Sequence, residues 1–215
     1  MPDLIEQTKV WTGEFGREYT NRNAISQEEL DSEYRKRYGI SRTEMNTLML
    51  SEFDPSCSIA EVGCNVGNQL LLLLKMGFSE LHGIEVQRLA IELLRSRSRN
   101  LRVVRGTVFH IPFRNASFDL VFTSGLLIHV HPNDILAAMV ELHRCARKYL
   151  WGFEYYAENY TAITYRGHDN LLWKADFAKM YLDRFDDLEL TKEIRFRNLD
   201  DPRNVDSMFL LEKSA

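Results

Sequence analysis

The stretch Glu61-Val62-Gly63-Cys64-Asn65-Val66-Gly67 decides the fold of this chain. It joins the apolar segment Ser58–Gly63, which is typical of a buried strand, to the leucine-rich segment Gly67–Met76, which is typical of a helix. Its two glycines permit a tight turn and a close approach of the backbone to a ligand. Because open α/β sheets bind ligands at the carboxyl ends of their strands, the loop predicts a ligand site there.

Strands and helices alternate along the rest of the chain. Further strands are predicted at Leu81–Val86, Leu101–Val108, Phe118–Ser124, Tyr149–Tyr155, Leu188–Phe196 and Met208–Lys213. Further helices are predicted at Gln87–Arg97, Pro132–Arg147 and Trp173–Phe185. This order predicts an α/β fold with a seven-stranded, mostly parallel sheet flanked by helices. The last two strands have no helix between them, which predicts a C-terminal antiparallel hairpin at one edge.

The first 56 residues are polar, with spaced aromatic residues. Helices are predicted over Ser26–Tyr38 and Arg42–Phe53, because each begins at a serine with a glutamate three residues later, a capping-box pattern. The segment Trp11–Asn23 holds too many glycines for a uniform helix, and we expect it to close over the ligand, although packing as a plain hydrophobic edge would also explain it. We therefore divide the chain into an N-terminal helical lid segment, 1–56, and an α/β domain, 57–215.

Composition excludes several classes of protein. The chain has 215 residues, a net charge of −4 and three cysteines without a CxxC pair, which argues against a disulfide framework and a cysteine zinc site. The histidines show no metal-ligand spacing beyond His129-x-His131, so we expect no metal. The start lacks a secretory pattern, and no apolar run reaches the length of a membrane span. We expect a cytoplasmic monomer or homodimer that acts on a small molecule, with no nucleic-acid or membrane partner.

The acidic residues around the loop indicate the ligand. A dinucleotide fingerprint would need glycine at positions 65 and 68, where this chain has asparagine. Glu61 suits a ligand with a cationic part, and Glu85 ends the second predicted strand about 20 residues after the loop, where such folds hold ribose hydroxyls. A ribose, a cation and no phosphate describe S-adenosylmethionine. The alternative is that both glutamates only cap strand ends.

With this loop and these spaced acids, the chain resembles class I S-adenosylmethionine-dependent methyltransferases over roughly Ser58–Lys213. The resemblance implies a Rossmann-like fold and S-adenosylmethionine as the cofactor. The implied cofactor contacts are Glu61, Gly63, Asn65, Gly67, Glu85, Val86, Gly106, Thr107, Val108, Thr123 and Ser124. From the lid segment we add Tyr19 and Arg22 as cofactor contacts.

A narrower resemblance extends into the N-terminal segment. The stretches WTGEFGREYTNRN, EVGCNVGNQ, FTSGLLIHVHP, EYY and YRGHDNLLWKADFA are similar to methylases associated with pseudaminic acid biosynthesis. Those are bacterial enzymes that accompany nonulosonic-acid sugar pathways. The resemblance implies a small-molecule acceptor.

The acceptor should lie beside residues that follow the fourth and fifth predicted strands. We expect the catalytic residues to be His129, Glu154 and Tyr155, and the substrate-binding residues to be Glu14, Tyr155, Tyr165, Arg166 and His168. His129 is predicted either to act as a general base or to cap the next helix or pack on the methionine part of the cofactor. Arg166 offers a fork for a carboxylate, which predicts an anionic acceptor such as a sugar acid, nucleotide sugar or amino-acid-like metabolite.

Other functions stay open at this level. An RNA or protein methyltransferase has little support, because the chain lacks a large basic face. A non-catalytic S-adenosylmethionine-binding module would not need so many polar residues around the acceptor. The basic cluster of Arg95, Arg97, Arg99 and Arg102 is interpreted as a solvated helix end.

Overall fold

The computed structural model describes residues 6–214. Its main sheet has seven strands in the order β3-β2-β1-β4-β5-β9-β8. Their bounds are β1 Ile59–Val62, β2 Leu81–Glu85, β3 Arg102–Arg105, β4 Phe118–Ser124, β5 Ala146–Tyr156, β8 Leu188–Arg197 and β9 Val205–Lys213. A separate two-stranded sheet joins β6, Thr161–Ala162, to β7, Trp173–Lys174.

Strands β1 to β5 are parallel, and β9 lies antiparallel between β5 and β8. The predicted mostly parallel sheet with a C-terminal antiparallel hairpin is confirmed. Strand β1 has β2 on one side and β4 on the other, so the connections after β1 and β4 leave in opposite directions. This is the position at which an open α/β sheet forms a ligand crevice.

Helices cover both faces of the sheet. Their bounds are α1 Glu6–Thr12, α2 Glu14–Arg22, α3 Gln27–Tyr38, α4 Arg42–Leu50, α5 Asn68–Lys75, α6 Arg88–Arg97, α7 Ile135–Cys145 and α8 Phe177–Arg184. The capping boxes predicted at Ser26 and Ser41 are both formed, with the serine hydroxyl accepting from the N–H of Glu29 and Glu44 respectively. Each box satisfies donors that a helix start leaves free, so α3 and α4 begin at the predicted residues.

The core consists of two apolar layers, one on each face of the sheet. Along β1, Ile59 packs into the layer under α4 and α5, whereas Ala60 and Val62 pack into the layer under α7 and α8. All four residues of β1 are buried, as expected for a central parallel strand. The central strands are thereby fixed on both sides, which holds their carboxyl ends in place.

Several predicted segments differ in their bounds, three of them for reasons that the structure shows. Trp11–Asn23 is two helices divided at Gly13 rather than one irregular segment. Within α2, a Cβ on Gly16 would lie 1.8 Å from the carbonyl oxygen of Trp11, so only glycine allows this turn. The helix predicted from Trp173 starts at Phe177, because Asp176 caps it by accepting from the N–H of Lys179. The helix predicted from Pro132 starts at Ile135, after a 3₁₀ turn over Leu127–His129.

Within residues 6–214, no helix is both long and apolar enough to cross a membrane. The described side chains include no group of three or more His, Cys, Asp or Glu residues placed to hold a metal ion.

Candidate cofactor and acceptor site

A cavity of about 440 Å³ opens at the carboxyl ends of the parallel strands and is covered by the N-terminal helices. It brings together most of the site residues that the sequence predicted. Those that line it are Tyr19, Arg22, Glu61, Gly63, Asn65, Glu85, Val86, Gly106, Thr107, Val108, Ser124, His129, Tyr155, Tyr165 and Arg166. Five predicted residues are not among its lining: Glu14, Gly67, Thr123, Glu154 and His168.

The glycine loop turns through the left-handed region of backbone space. Gly63, Asn65 and Gly67 have φ values of 75°, 46° and 77°. A Cβ on Gly63 would lie 2.8 Å from the Leu126 side chain, and one on Gly67 would lie 2.7 Å from that of Leu94. Gly67 is therefore required by the backbone angle and by packing of the loop on α6, rather than by contact with a ligand.

Glu85 is held by the backbone around it. One carboxylate oxygen accepts from the N–H groups of Val86 (2.8 Å) and Gln87 (2.7 Å), and the other accepts from that of Asn65 (2.8 Å). Burial raises the pKa of this carboxyl, while the three N–H groups favour its ionised form. A carboxylate fixed in this way at the end of β2, facing the cavity, suits recognition of a vicinal diol.

Two buried oxygens at the cavity have no hydrogen-bond partner within the described residues. They are Oε2 of Glu61 and Oδ1 of Asn65. Burial raises the pKa of Glu61 well above its ordinary value. Unpartnered buried acceptors are uncommon in native proteins. Both suit a ligand that brings hydrogen-bond donors, and an ammonium group and ribose hydroxyls are such donors. The residues present therefore fit S-adenosylmethionine.

The N-terminal helices are tied directly to the cofactor loops. The amide Nε2 of Gln87 donates to the backbone oxygens of Trp11 (3.1 Å) and Gly13 (3.4 Å). The amide Nδ2 of Asn68 donates to the oxygen of Asn23 (2.8 Å). These bonds join α1 and α2 to the loops after β1 and β2, the position predicted for a lid.

Arg97 completes this connection. Its guanidinium donates to the backbone oxygens of Val66 (2.8 Å) and Ile25 (2.6 Å) and to Oδ1 of Asn68 (2.6 Å). The interpretation of the basic cluster as a solvated helix end is therefore wrong for Arg97. Three backbone and side-chain acceptors converge on it, and only the folded chain brings them together.

Aromatic rings close the cavity above the acceptor side. The ring of Trp11 lies 4.6 Å from that of His129, 5.1 Å from that of Tyr19 and 5.3 Å from that of Phe15. His168 lies outside the cavity because its exposed ring packs on Phe15 at 5.5 Å. His168 therefore contacts the N-terminal helices, and its contact with an acceptor stays a prediction. Glu14 is exposed in the first turn of α2 and does not face the cavity.

His129 is buried at the cavity as a neutral imidazole. Its Nδ1 lies 2.7 Å from the backbone oxygen of Leu171. A carbonyl oxygen only accepts, so Nδ1 carries the hydrogen and Nε2 keeps its lone pair. Burial lowers the pKa of His129 to about 4. The ring can accept a hydrogen bond at neutral pH, and its low basicity makes it a weak proton acceptor.

Glu154 lies beneath the loop that follows β4 instead of at the acceptor. Its carboxyl oxygens accept from the N–H groups of Leu126 (3.2 Å) and Ile128 (3.4 Å), and Thr123 interacts with the same group. Burial raises its pKa to about 7. Neither Glu154 nor Thr123 lines the cavity, and both lie beneath the loop that carries His129, so their direct contact with a ligand stays a prediction. The cause is side-chain alternation along a strand, since Tyr155, the next residue, does line the cavity.

Helix α3 contributes residues that sequence reasoning missed. Tyr34, Arg37 and Tyr38 all line the cavity. The Tyr38 hydroxyl donates to Oδ2 of Asp206, and burial raises the pKa of Asp206 to about 6. The available signal was the spacing of Tyr34 and Tyr38, which places two aromatic rings on one face of an otherwise polar helix.

Comparisons with known proteins agree with this geometry. A family described as a methyltransferase domain matches residues 59–149. No curated protein sequence matches the chain at a significant level. Many solved structures share its fold.

Three of these structures illustrate the range of that fold. An S-adenosylmethionine-dependent methyltransferase from Methanosarcina mazei is 16% identical, with a TM-score of 0.64 over 77% of this chain and 96% of that one. The 1,6-didemethyltoxoflavin-N1-methyltransferase from Burkholderia thailandensis, solved with S-adenosylhomocysteine, is 13% identical, with a TM-score of 0.63 over 80% and 76%. The [4+2]-cyclase SpnF is 14% identical, with a TM-score of 0.63 over 80% of each chain.

At these identities the likeness to solved structures shows the fold alone. Residues 59–149, fewer than half of the 215 residues, match the methyltransferase domain family, and this match indicates a methyltransferase whose cofactor is S-adenosylmethionine.

Proposed function

We propose that the protein transfers a methyl group from S-adenosylmethionine to an oxygen or nitrogen atom of a small, polar, anionic metabolite. The observation that carries this proposal is the presence of two arginines, Arg37 and Arg166, among the residues that line the cavity with Glu61 and Glu85. Their guanidinium groups lie 5.9 Å and 5.8 Å from the ring centres of Tyr38 and Tyr165, which line the same cavity. A guanidinium offers a planar fork that matches a carboxylate or phosphate. The acceptor classes are a sugar acid, a nucleotide sugar or an amino-acid-like metabolite.

The enclosure of the cavity supports a small acceptor. The rings of Trp11, Tyr19 and Tyr165 lie 4.6, 6.4 and 5.5 Å from that of His129, and Tyr155 also lines the cavity. Such walls exclude water and leave hydroxyl groups to orient a polar molecule. An RNA or a protein side chain would have to enter between the N-terminal helices and the loop that carries Tyr165.

Each residue has a role in this proposal. The cofactor, when bound, supplies an activated methyl group on a cationic sulfur. Glu85 holds the ribose, and Glu61 faces the cationic end. The Nε2 lone pair of His129 accepts a hydrogen bond from the acceptor and orients it, and Arg37 and Arg166 bind the anionic group. For an oxygen acceptor, His129 is the candidate proton acceptor in the cavity.

The finer resemblance to methylases associated with pseudaminic acid biosynthesis is part of the proposal. Its support is positional: the stretches WTGEF, EYY and YRGH, quoted from the sequence, all contribute residues to this cavity or its cover. We also propose that residues 1–56 act as a lid over the α/β domain. A cytoplasmic location suits the three free cysteines Cys57, Cys64 and Cys145.

The test is a cofactor-consumption screen. Purified protein is incubated with S-adenosylmethionine and panels of sugar acids, amino acids, nucleotide sugars, total RNA and a protein extract, and S-adenosylhomocysteine is measured. We expect turnover with an anionic small molecule and slower turnover with Glu85→Ala at the same, subsaturating cofactor concentration. Turnover only with RNA or protein would overturn the acceptor class, and binding of S-adenosylmethionine without turnover on any panel would favour a non-catalytic module.

A further inference from the structure

Arg42 is a fully buried guanidinium at the start of α4, with 0% of its surface exposed. Its Nε donates to Oδ1 of Asn46 (3.0 Å) and Oε1 of Gln69 (2.9 Å), and one terminal nitrogen donates to Oγ of Ser124 (3.3 Å). The other terminal nitrogen, Nη1, has no hydrogen-bond partner among residues 6–214. All three partners are neutral. Burying a cation that is bonded only to neutral groups costs folding free energy, so the presence of Arg42 at this position calls for a physical reason.

The contacts of Arg42 end at the wall of the cofactor cavity. Gln69 and Ser124, which accept its hydrogen bonds, both line that cavity. The guanidinium also lies 4.2 Å from the centre of the Phe153 ring, which lines the cavity too. Arg42 therefore connects α5, β4 and β5 directly beneath the site without being part of its lining.

Burial raises the pKa of two acids, Glu61 and Asp206, and the positive charge of Arg42 lowers the pKa of both. Of the two, Glu61 lines the cavity. Its carboxyl is 3% exposed and lines the cavity, and its Oε2 lacks a partner within the described residues. The positive charge of Arg42 lowers the pKa of Glu61, against burial, which raises it more. A buried cation beneath the cavity wall thus acts on a buried acid in that wall, and each has one polar atom without a partner within residues 6–214. A ligand end that carries both an ammonium and a carboxylate has the charges to complement the two.

We propose that Arg42 is a positioning residue for the amino-acid end of S-adenosylmethionine. It orients Gln69 and Ser124 in the cavity wall and supplies the positive charge beside Glu61. This inference rests on the proposed placement of the cofactor, with Glu61 at its cationic end and Glu85 at its ribose. It predicts that loss of Arg42 affects the amino-acid end of the cofactor and leaves binding of the adenosine end intact.

Two ligands separate these ends. S-adenosylhomocysteine carries the amino-acid end, whereas 5′-methylthioadenosine has the same adenosine and sulfur without it. We expect calorimetry on Arg42→Met to show affinity for S-adenosylhomocysteine lower by about tenfold or more, because Gln69 and Ser124 lose their hydrogen-bond donor and Glu61 loses the nearby positive charge. The affinity for 5′-methylthioadenosine should stay within about twofold of wild type. Arg42→Lys keeps the charge and should lose less. Arg184→Met, at an exposed position on α8, is the matched control.

A second variant covers the case in which Arg42→Met does not fold. Asn46→Asp is nearly isosteric and places a carboxylate against Nε of Arg42, so it neutralises the guanidinium without removing it. We expect the same selective loss for S-adenosylhomocysteine. Equal losses for both ligands, or an unchanged affinity for S-adenosylhomocysteine, would overturn the role of Arg42. A wild type that binds neither ligand would instead overturn the cofactor placement itself.

Discussion

The backbone N–H of Asn65 donates to Oε2 of Glu85 across 2.8 Å, so the glycine loop after β1 is joined directly to the end of β2. The carboxylate that faces the cavity is thus also the group that holds the loop. We expect Glu85→Ala to weaken binding of S-adenosylhomocysteine by about 1–3 kcal/mol, because charged hydrogen bonds to the ribose are lost. Calorimetry measures this change, and circular dichroism checks that the variant folds. An affinity equal to that of wild type would identify Glu85 as a strand-end residue only.

The N-terminal helices should respond to the cofactor. Gln87, Asn68 and Arg97 hold them through hydrogen bonds to backbone oxygens of Trp11, Asn23 and Ile25. We expect limited proteolysis to cut before residue 24 in the free protein and to spare this segment when S-adenosylhomocysteine is bound. Arg97→Ala should speed cleavage in both states, because its three acceptors lose their common donor. Equal cleavage of the wild type with and without ligand would count against a lid.

His129 should affect turnover more than cofactor binding. His129 lines the cavity, and its Nδ1 is bonded to the backbone oxygen of Leu171, which leaves the Nε2 lone pair as the acceptor of the ring. Once an acceptor is known, we expect His129→Ala to lower kcat by about a hundredfold if the imidazole accepts the proton. Because burial lowers its pKa to about 4, the kcat of the wild type should show no histidine limb between pH 6 and 8. A full kcat in His129→Ala would mean that the residue only packs against Trp11.

Arg37 and Arg166 should act on the acceptor. Both line the cavity from different elements, α3 and the loop between β6 and β7. We expect Arg37→Ala and Arg166→Ala to raise the KM for an anionic acceptor more than they lower kcat, the sign of lost uniform binding. Steady-state kinetics with the acceptor from the screen measures the split. Exposed Arg88 on α6 supplies the control, Arg88→Ala. Unchanged KM values in both variants would remove the anionic acceptor from the proposal.

The buried carboxyl of Glu154 should lower the free energy of unfolding as pH rises. Burial raises its pKa from 4.5 to about 7. Ionisation then begins in the unfolded chain at lower pH than in the folded protein, so it favours unfolding as pH rises from about 4.5 to about 7. We expect the wild type to lose stability relative to Glu154→Gln between pH 5 and pH 8. Urea unfolding of both proteins at pH 5 and pH 8 measures their free energies of unfolding. If the difference between the two proteins is the same at both pH values, the raised pKa of Glu154 is contradicted.

The sequence by itself determined the sheet and the chemistry of the cofactor loop. Periodicity and glycine spacing are local properties, so they predicted β4 at Phe118–Ser124 with its bounds and the serine caps of α3 and α4. The acids Glu61 and Glu85 were found because the carboxyl ends of neighbouring parallel strands meet at one edge. Gly67 was also predicted to be a site residue, but glycine is required there because a Cβ would meet the side chain of Leu94.

Only the tertiary structure decided which polar residues face the cavity. Glu154 and Tyr155 are adjacent in sequence, yet one lies beneath a loop and the other lines the site, because successive side chains of a strand point to opposite faces. Arg42, Arg97, and the Tyr38–Asp206 pair depend on partners that lie far apart along the chain. No local pattern encodes such contacts, since they arise from the packing of the N-terminal helices on the sheet.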